Sequence, residues 1–136
     1  MPKTPEGRVA ADRIVTLVLV LGGLFFLGPG GWALLDPESF YRELAPFEPY
    51  NRHFVHDIGA FQIGIGVALL LAAWWSDAKL IVLAGAAAAA VVHLASHIMD
   101  SDHGGNDTDI PVFAIVAAVL LVTAAARWIS ARAQRA

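Results

Sequence analysis

Four long apolar segments alternate with short polar ones along this chain. They cover approximately residues 14–35, 54–75, 80–99 and 110–128. Each is close to the roughly 20 residues that an α-helix needs to cross a bilayer. The pattern therefore predicts an all-α fold, an integral membrane four-helix bundle in which residues 1–136 form a single transmembrane domain.

Two features modify the first half of this pattern. Gly28-Pro29-Gly30-Gly31 lies inside the first apolar segment, and a proline there predicts a kink or an early unwinding of the helix. Beyond this segment, Asp36 is a plausible helix N-cap and Pro37 suits the first helical position. The aromatic residues that follow predict a short interfacial helix on the outer membrane surface, between the first two spans.

Small residues in the second and third spans predict how the helices pack. Ala60 and Gly64 stand four residues apart, with Gly66 and Ala68 nearby, a pattern of small residues that allows membrane helices to approach closely. Residues 84–90 of the third span are all alanine or glycine, which favours a helix that is surrounded by other helices. The same surfaces would also suit a homo-oligomer.

Composition and charge add the membrane orientation. The chain is 57% hydrophobic and only 15% charged, which is too apolar for a soluble domain of 136 residues. Because cytoplasmic loops are enriched in lysine and arginine, both termini are expected in the cytoplasm. Seven basic residues lie on that side and two on the other: Lys3, Arg8, Arg13, Lys79, Arg127, Arg132 and Arg135 against Arg42 and Arg52.

The composition also excludes some functions. The chain has no cysteine, so a disulfide framework, a thiolate metal site and a redox dithiol are all ruled out. It has no basic patch with interleaved aromatic residues, and we therefore expect no nucleic-acid binding.

The histidines are the strongest functional signal. His93, Ser96, His97 and Asp100 recur at i, i+3, i+4 and i+7, so they form one stripe at the end of the third span. The topology brings the other three histidines to the same outer end. Ionisable groups within a membrane are costly and normally face a partner or a ligand. The residues that join the stripe there lie at the start of the second span and in the loop after the third: His53, His56, Asp57, Asp102, His103, Asp107 and Asp109.

These residue types predict a transition-metal site. His93 and His97 present two imidazoles on one helix face, and His56 or Asp57 would add ligands from the second span. Asp100, His53 and His103 are further candidate ligands. Zinc, copper, nickel or iron would suit such a set.

A haem or quinone cofactor is a less favoured alternative. The axial haem ligands would be one histidine from each of the two helices, for instance His56 and His97, since residues i and i+4 on one helix cannot both bind the same iron. The protein would then be a haem- or quinone-dependent membrane oxidoreductase.

Other interpretations need no cofactor. The imidazoles could hydrogen-bond to one another, to Ser96, to Gln62 and to Asp57, tying two helices together. They could also relay protons or sense pH, because imidazoles beside carboxylates titrate near neutral pH. A protein of this kind would be a non-catalytic accessory subunit or scaffold of a larger membrane complex.

The acidic loop after the third span resembles a calcium loop only at its start. Asp100, Asp102 and Gly105 occupy the first, third and sixth positions of the EF-hand pattern. However, Gly104 stands at the fifth position and Pro111 replaces the final glutamate. The EF-hand hypothesis therefore fails, and only weak attraction of divalent cations is expected.

Three segments resemble a known family. They are Gly28-Pro29-Gly30-Gly31-Trp32, Asp36-Pro37-Glu38-Ser39-Phe40-Tyr41, and the stretch from Arg52 through Asp57 into residues 59–66. In these the chain resembles small four-span bacterial membrane proteins described as DoxX-like, including DUF4345-type proteins. The resemblance implies a four-helix bundle in the cytoplasmic (inner) membrane of a bacterium and an association with membrane redox or quinone-linked enzymes. It transfers no catalytic residue, and the His93/His97 pair does not map onto that group.

Overall fold

The computed structural model describes residues 5–133, without the side chains of Pro5 and Arg8. Within that range the chain is helical and has no β-strand, as predicted. The helices are α1 (Pro5–Leu35), α2 (Pro37–Glu43), α3 (Arg52–Trp74), α4 (Lys79–Met99) and α5 (Asp109–Ala133).

All helices except α2 are long and apolar enough to cross a membrane, which confirms the four predicted spans. The chain is thus a small multi-pass membrane protein. The cytoplasmic location of the termini and the outer location of α2 stay predictions. Two basic residues used for that orientation, Lys3 and Arg135, lie outside the described residues.

The first half of the chain forms its helices with one departure from expectation. α1 continues unbroken through Pro29 to Leu35, so the unwinding expected at the Gly-Pro-Gly-Gly segment does not occur. α2 begins as predicted, because the Asp36 side chain accepts a hydrogen bond from the Ser39 backbone N–H at 3.2 Å and Pro37 follows it. This short helix belongs to the connection between α1 and α3.

Glycines bring the backbones of α1 and α3 together at two levels. A Cβ atom added to Gly59 would lie 2.9 Å from the Gly30 carbonyl oxygen, and one added to Gly66 would lie 2.9 Å from that of Gly23. Real Cβ atoms essentially never make contacts under 3.0 Å. Close backbone packing between small residues is a common way to join membrane helices.

Of the small residues predicted to allow a close approach, Gly66 does so, but Ala60 and Gly64 do not meet α1. A Cβ atom on Gly64 would meet nothing within 4 Å, because Gly64 and Ala60 face away from α1. They line an open apolar groove of about 400 Å³ between α3 and α4. The remaining lining residues are Phe61, Ile65, Ala68, Val82, Gly85 and Ala86.

α4 is only partly enclosed by the other helices. Leu83, Ala87 and Ala90 belong to the core, together with Leu19 of α1 and Leu69 of α3. The other helices of the described chain do not surround α4 completely, because three alanines on its other side are exposed: Ala84, Ala88 and Ala89. Small residues on this side would suit a homo-oligomer, as the sequence predicts.

A buried lysine attaches α4 to α1 at the end where α4 begins. Lys79 is only 4% exposed, and its Nζ donates to both carboxylate oxygens of Asp12, at 3.1 and 2.9 Å. It also donates to Thr16 Oγ1 at 2.9 Å. The three donors of the ammonium group are therefore paired, as a buried charge requires. The histidine stripe lies at the opposite end of α4.

Candidate functional site

The two histidines of α4, termed here the histidine pair, lie against each other. His93 Nε2 is 3.0 Å from His97 Nε2, and both residues are half-buried. Their spacing of four residues places them on one face of the helix. The pairing predicted from the sequence is therefore present, with two nitrogen atoms facing one another.

Asp109, the first residue of α5, is the acidic partner of this pair. Its Oδ2 atom lies 3.5 Å from His97 Nδ1, which is longer than an ordinary hydrogen bond but still an ion-pair distance. The same oxygen accepts a hydrogen bond from the Asn106 backbone N–H at 2.9 Å. Asp109 is only 8% exposed, so its carboxylate lies within the protein and faces the imidazole.

Asp109 is absent from the ligand set predicted from the sequence. The sequence places it only among the acids at the outer end of the bundle. A carboxylate at the start of a helix is also favourable without any ligand, because it interacts with the free backbone N–H groups. The sequence did contain one indication: an acidic residue at the start of one span should lie near the end of the preceding span, because the loop between them is short. That signal does not single out Asp109 from Asp107 or Asp102.

Two phenylalanines surround the histidine pair. The Phe113 ring of α5 lies 4.4 Å from the His93 ring and 4.6 Å from the His97 ring, measured between centroids. The Phe47 ring lies 5.6 Å from that of His97 in an edge-on arrangement. This packing leaves the His97 side chain only 13% exposed.

Phe47 belongs to residues 44–50, which connect α2 to α3 and are termed here the lid segment. The Gly105 N–H donates to the Pro46 carbonyl oxygen at 3.4 Å, and the Asn106 side-chain amide donates to the Leu44 carbonyl oxygen at 3.2 Å. Phe47 and Gly104 form an isolated antiparallel bridge. The lid segment thus rests on the loop between α4 and α5, with Phe47 against His97.

The predicted second-span residues do not join the histidine pair. His53 Nε2 lies 3.7 Å from Asp57 Oδ2, and the two side chains are 88% and 54% exposed. His56 Nε2 is buried without a hydrogen-bond partner. Within residues 5–133, no hydrogen bond, ion pair or ring contact connects these three residues to His93 or His97.

The other predicted ligands are exposed. Asp100 ends α4, and its backbone N–H donates to the Ser96 carbonyl oxygen at 2.9 Å. His103 Nδ1 lies 2.7 Å from Asp102 Oδ1, with both side chains more than 70% exposed. In the described part of the chain, no three histidine, aspartate or glutamate side chains come together in an arrangement that could hold a metal ion. The seven-residue ligand set is therefore not assembled.

The interhelical contact predicted as an alternative also differs in its partner. Ser96 Oγ donates to the His93 carbonyl oxygen at 2.7 Å rather than to an imidazole. Gln62 Oε1 is buried without a partner. The contact runs from His97 to Asp109, so it ties α4 to α5 and leaves α3 out.

The geometry defines the chemistry open to the histidine pair. With a proton on His97 Nδ1, facing the Asp109 carboxylate, the lone pair of His97 Nε2 points toward His93. His93 Nε2 can then either donate a proton to that lone pair or offer a second lone pair beside it. The first state is a hydrogen-bonded chain, and the second is a two-nitrogen chelate for a cation.

Comparisons of this chain with protein-family models, with curated proteins and with solved structures return no match. The resemblance to DoxX-like proteins therefore stays a prediction. Any functional assignment must come from the site itself.

Proposed function

We propose that this membrane protein binds a divalent transition metal ion through the histidine pair. The observation that carries the proposal is that His97 directs Nε2 toward Nε2 of His93 while its Nδ1 faces the Asp109 carboxylate. A carboxylate or a carbonyl on the second nitrogen is the usual outer partner of a metal-binding histidine, because it selects the tautomer and raises the basicity of the ligand.

The separation of the two nitrogens suits a shared ion. Two imidazoles bound to a tetrahedral zinc ion at 2.0–2.1 Å have their nitrogens roughly 3.3 Å apart. The observed distance of 3.0 Å would need only a small rotation of the rings. Histidines at i and i+4 also supply two of the zinc ligands in helical metal motifs.

The chelate differs from the site that the sequence predicts. His93 and His97 are its only histidine ligands, Asp109 orients His97, and the remaining positions on the metal take water or an external donor. Zinc, copper, nickel and iron all accept imidazole, so the residues select a class of metal ions rather than one element. The charge distribution supports an outer location for this site. The resemblance to DoxX-like proteins supports the cytoplasmic membrane of a bacterium.

Metal titration of the purified full-length protein in detergent tests the proposal. We expect the protein to bind one equivalent of Zn²⁺ or Ni²⁺ by calorimetry, and a His93→Ala/His97→Ala variant to lose that binding. A His53→Ala/His103→Ala variant is the matched control, because both side chains are exposed and lie away from the pair. Stoichiometric binding by the His93/His97 variant, or no binding by the unmodified protein, would refute a metal site here.

A second candidate is a structural contact in a non-catalytic accessory subunit. A hydrogen bond between the histidines accounts for the same 3.0 Å distance, and Asp109 then joins α4 to α5 without any ligand. In that case His97→Ala should lower the free energy of unfolding while the protein binds no metal. A stable partner recovered in mild detergent would then identify the complex that the subunit belongs to.

Haem receives no support from the packing. The His97 ring contacts Phe47, Phe113 and His93, and no described contact connects it with His56. A colourless purified protein with no Soret absorption is the expected result.

A further inference from the structure

The lid segment lies between the histidine pair and the exterior at this end of the molecule. Phe47 is half-buried and contacts His97, whereas the residues next to it, Glu48 and Pro49, are exposed. On the helical side, Phe113 contacts both histidines. Among the described ring contacts of His97, the one with Phe47 is therefore made by a residue outside α4 and α5.

Few hydrogen bonds hold the lid segment on the loop between α4 and α5. The hydrogen bonds that the Gly105 N–H and the Asn106 side-chain amide donate to this segment measure 3.4 and 3.2 Å, which is at or beyond the long end of the ordinary range. Leu44 and Asn106 are exposed, so water can replace their bond. Residues 44–50 also contain no helix, and separating them from the α4–α5 loop would not unwind α2 or α3.

Two glycines form the surface on which the lid segment rests. Gly104 has a φ of +143°, and a Cβ atom there would lie 2.5 Å from the Pro46 carbonyl oxygen. Gly105 has a φ of +89°, and its Cβ would lie 2.9 Å from the edge of the Phe47 ring. A larger residue at Gly104 would therefore push the lid segment away from the histidine pair. At Gly105 it would also press on Asp109, whose Oδ2 atom would lie 2.9 Å from the Cβ.

We propose that the lid segment is a gate, with Phe47 as its closing side chain and Gly104-Gly105 as its seat, that controls access of metal ions to His93 and His97. This inference rests on the proposed metal site for its ligand, but the gating itself concerns the exposure of the histidines. In the closed state Phe47 covers His97. Entry and release of an ion require Phe47 to leave.

Chemical modification of the histidines tests the gate without any metal. Diethylpyrocarbonate reacts with accessible imidazole nitrogens, and mass spectrometry resolves each modified residue of the full-length protein in detergent. In the unmodified protein we expect His97 to react at least about tenfold more slowly than His53 and His103, which are exposed. Phe47→Ala and Gly104→Ala should each raise the His97 rate about tenfold and leave the His53 rate unchanged.

Gly85→Ala is the matched glycine control. Gly85 lies on α4, and a Cβ atom there meets nothing within 4 Å, so this variant should keep the slow His97 rate. Unchanged far-UV circular dichroism and an unchanged His53 rate show that the lid variants are folded. Slow His97 modification in both folded lid variants would overturn the gate, as would fast modification of His97 in the unmodified protein.

Metal kinetics separate the gate from the metal site. With Zn²⁺ bound, Phe47→Ala and Gly104→Ala should release the ion to a chelator about tenfold faster than the unmodified protein. An unchanged release rate overturns the gate. If the unmodified protein binds no Zn²⁺, the metal site is refuted, and the modification rates alone still decide whether the lid segment covers His97.

Discussion

Gly59 offers a direct test of how closely α1 and α3 pack. In Gly59→Ala the new methyl group would lie 2.9 Å from the Gly30 carbonyl oxygen and 3.0 Å from Ala33 Cβ. Neither neighbour is the flexible end of a side chain, and Ala33 is fully buried. Ordinary van der Waals contacts begin at 3.4 Å, so the two helices must separate by several tenths of an ångström.

The magnitude follows from two opposing terms. Overpacking of a well-packed contact costs about 1–3 kcal/mol. Replacing a glycine by alanine inside a helix returns up to about 1 kcal/mol through helix propensity. We therefore expect Gly59→Ala to lower the free energy of unfolding by about 1–2 kcal/mol.

Gly64→Ala is the matched control on the same helix. A Cβ atom at Gly64 meets nothing within 4 Å, so this variant keeps only the gain in helix propensity. The two variants should differ by about 2 kcal/mol, roughly thirtyfold in the unfolding equilibrium. Titration with SDS in mixed micelles, followed by circular dichroism, measures the difference. Equal unfolding midpoints would refute the close packing of α1 on α3 at Gly59.

Three further predictions concern charge and orientation. Asp12→Asn should cost about 3 kcal/mol in unfolding free energy, because it leaves the buried Lys79 ammonium without its counter-ion. Lys79→Met should cost under about 1 kcal/mol, because the half-exposed Asp12 carboxylate can be hydrated. Equal costs in the same SDS titration would contradict this asymmetry. Asp109→Asn should weaken Zn²⁺ binding by about 10–100-fold in calorimetry, since it removes the charged outer partner of the chelate, and an unchanged affinity would remove Asp109 from the site. The chain has no cysteine, so an introduced cysteine is the single site for a maleimide. With the predicted orientation, Ser101→Cys should react with a membrane-impermeant maleimide in intact cells, and Ser76→Cys only after permeabilisation. The reverse pattern would invert the orientation.

The sequence alone determined the helices of this protein and their order. Apolar length predicts the four spans because a helix must be long enough to cross the bilayer. The cap at Asp36 and the contact between His93 and His97 were equally predictable, since each depends on residues only three or four positions apart. Such short-range relations follow from the geometry of a single helix.

Only the tertiary structure decided which helix faces which. Gly59 and Gly66, rather than Ala60 and Gly64, meet α1, although all four lie within a few residues on α3. A sequence defines the faces of a helix, but the rotation of that helix against its neighbours depends on packing summed over the whole bundle.

The same limit applies to the site. Topology predicted correctly that the start of α3 and the end of α4 share one end of the molecule. It could not predict that His97 would turn to Asp109 of α5 instead of to His56 or Asp57 of α3. The partner of His97 depends on how α4 is rotated about its axis and on distances of a few ångströms between side chains. Both are set by the packing of the whole bundle rather than by any one segment.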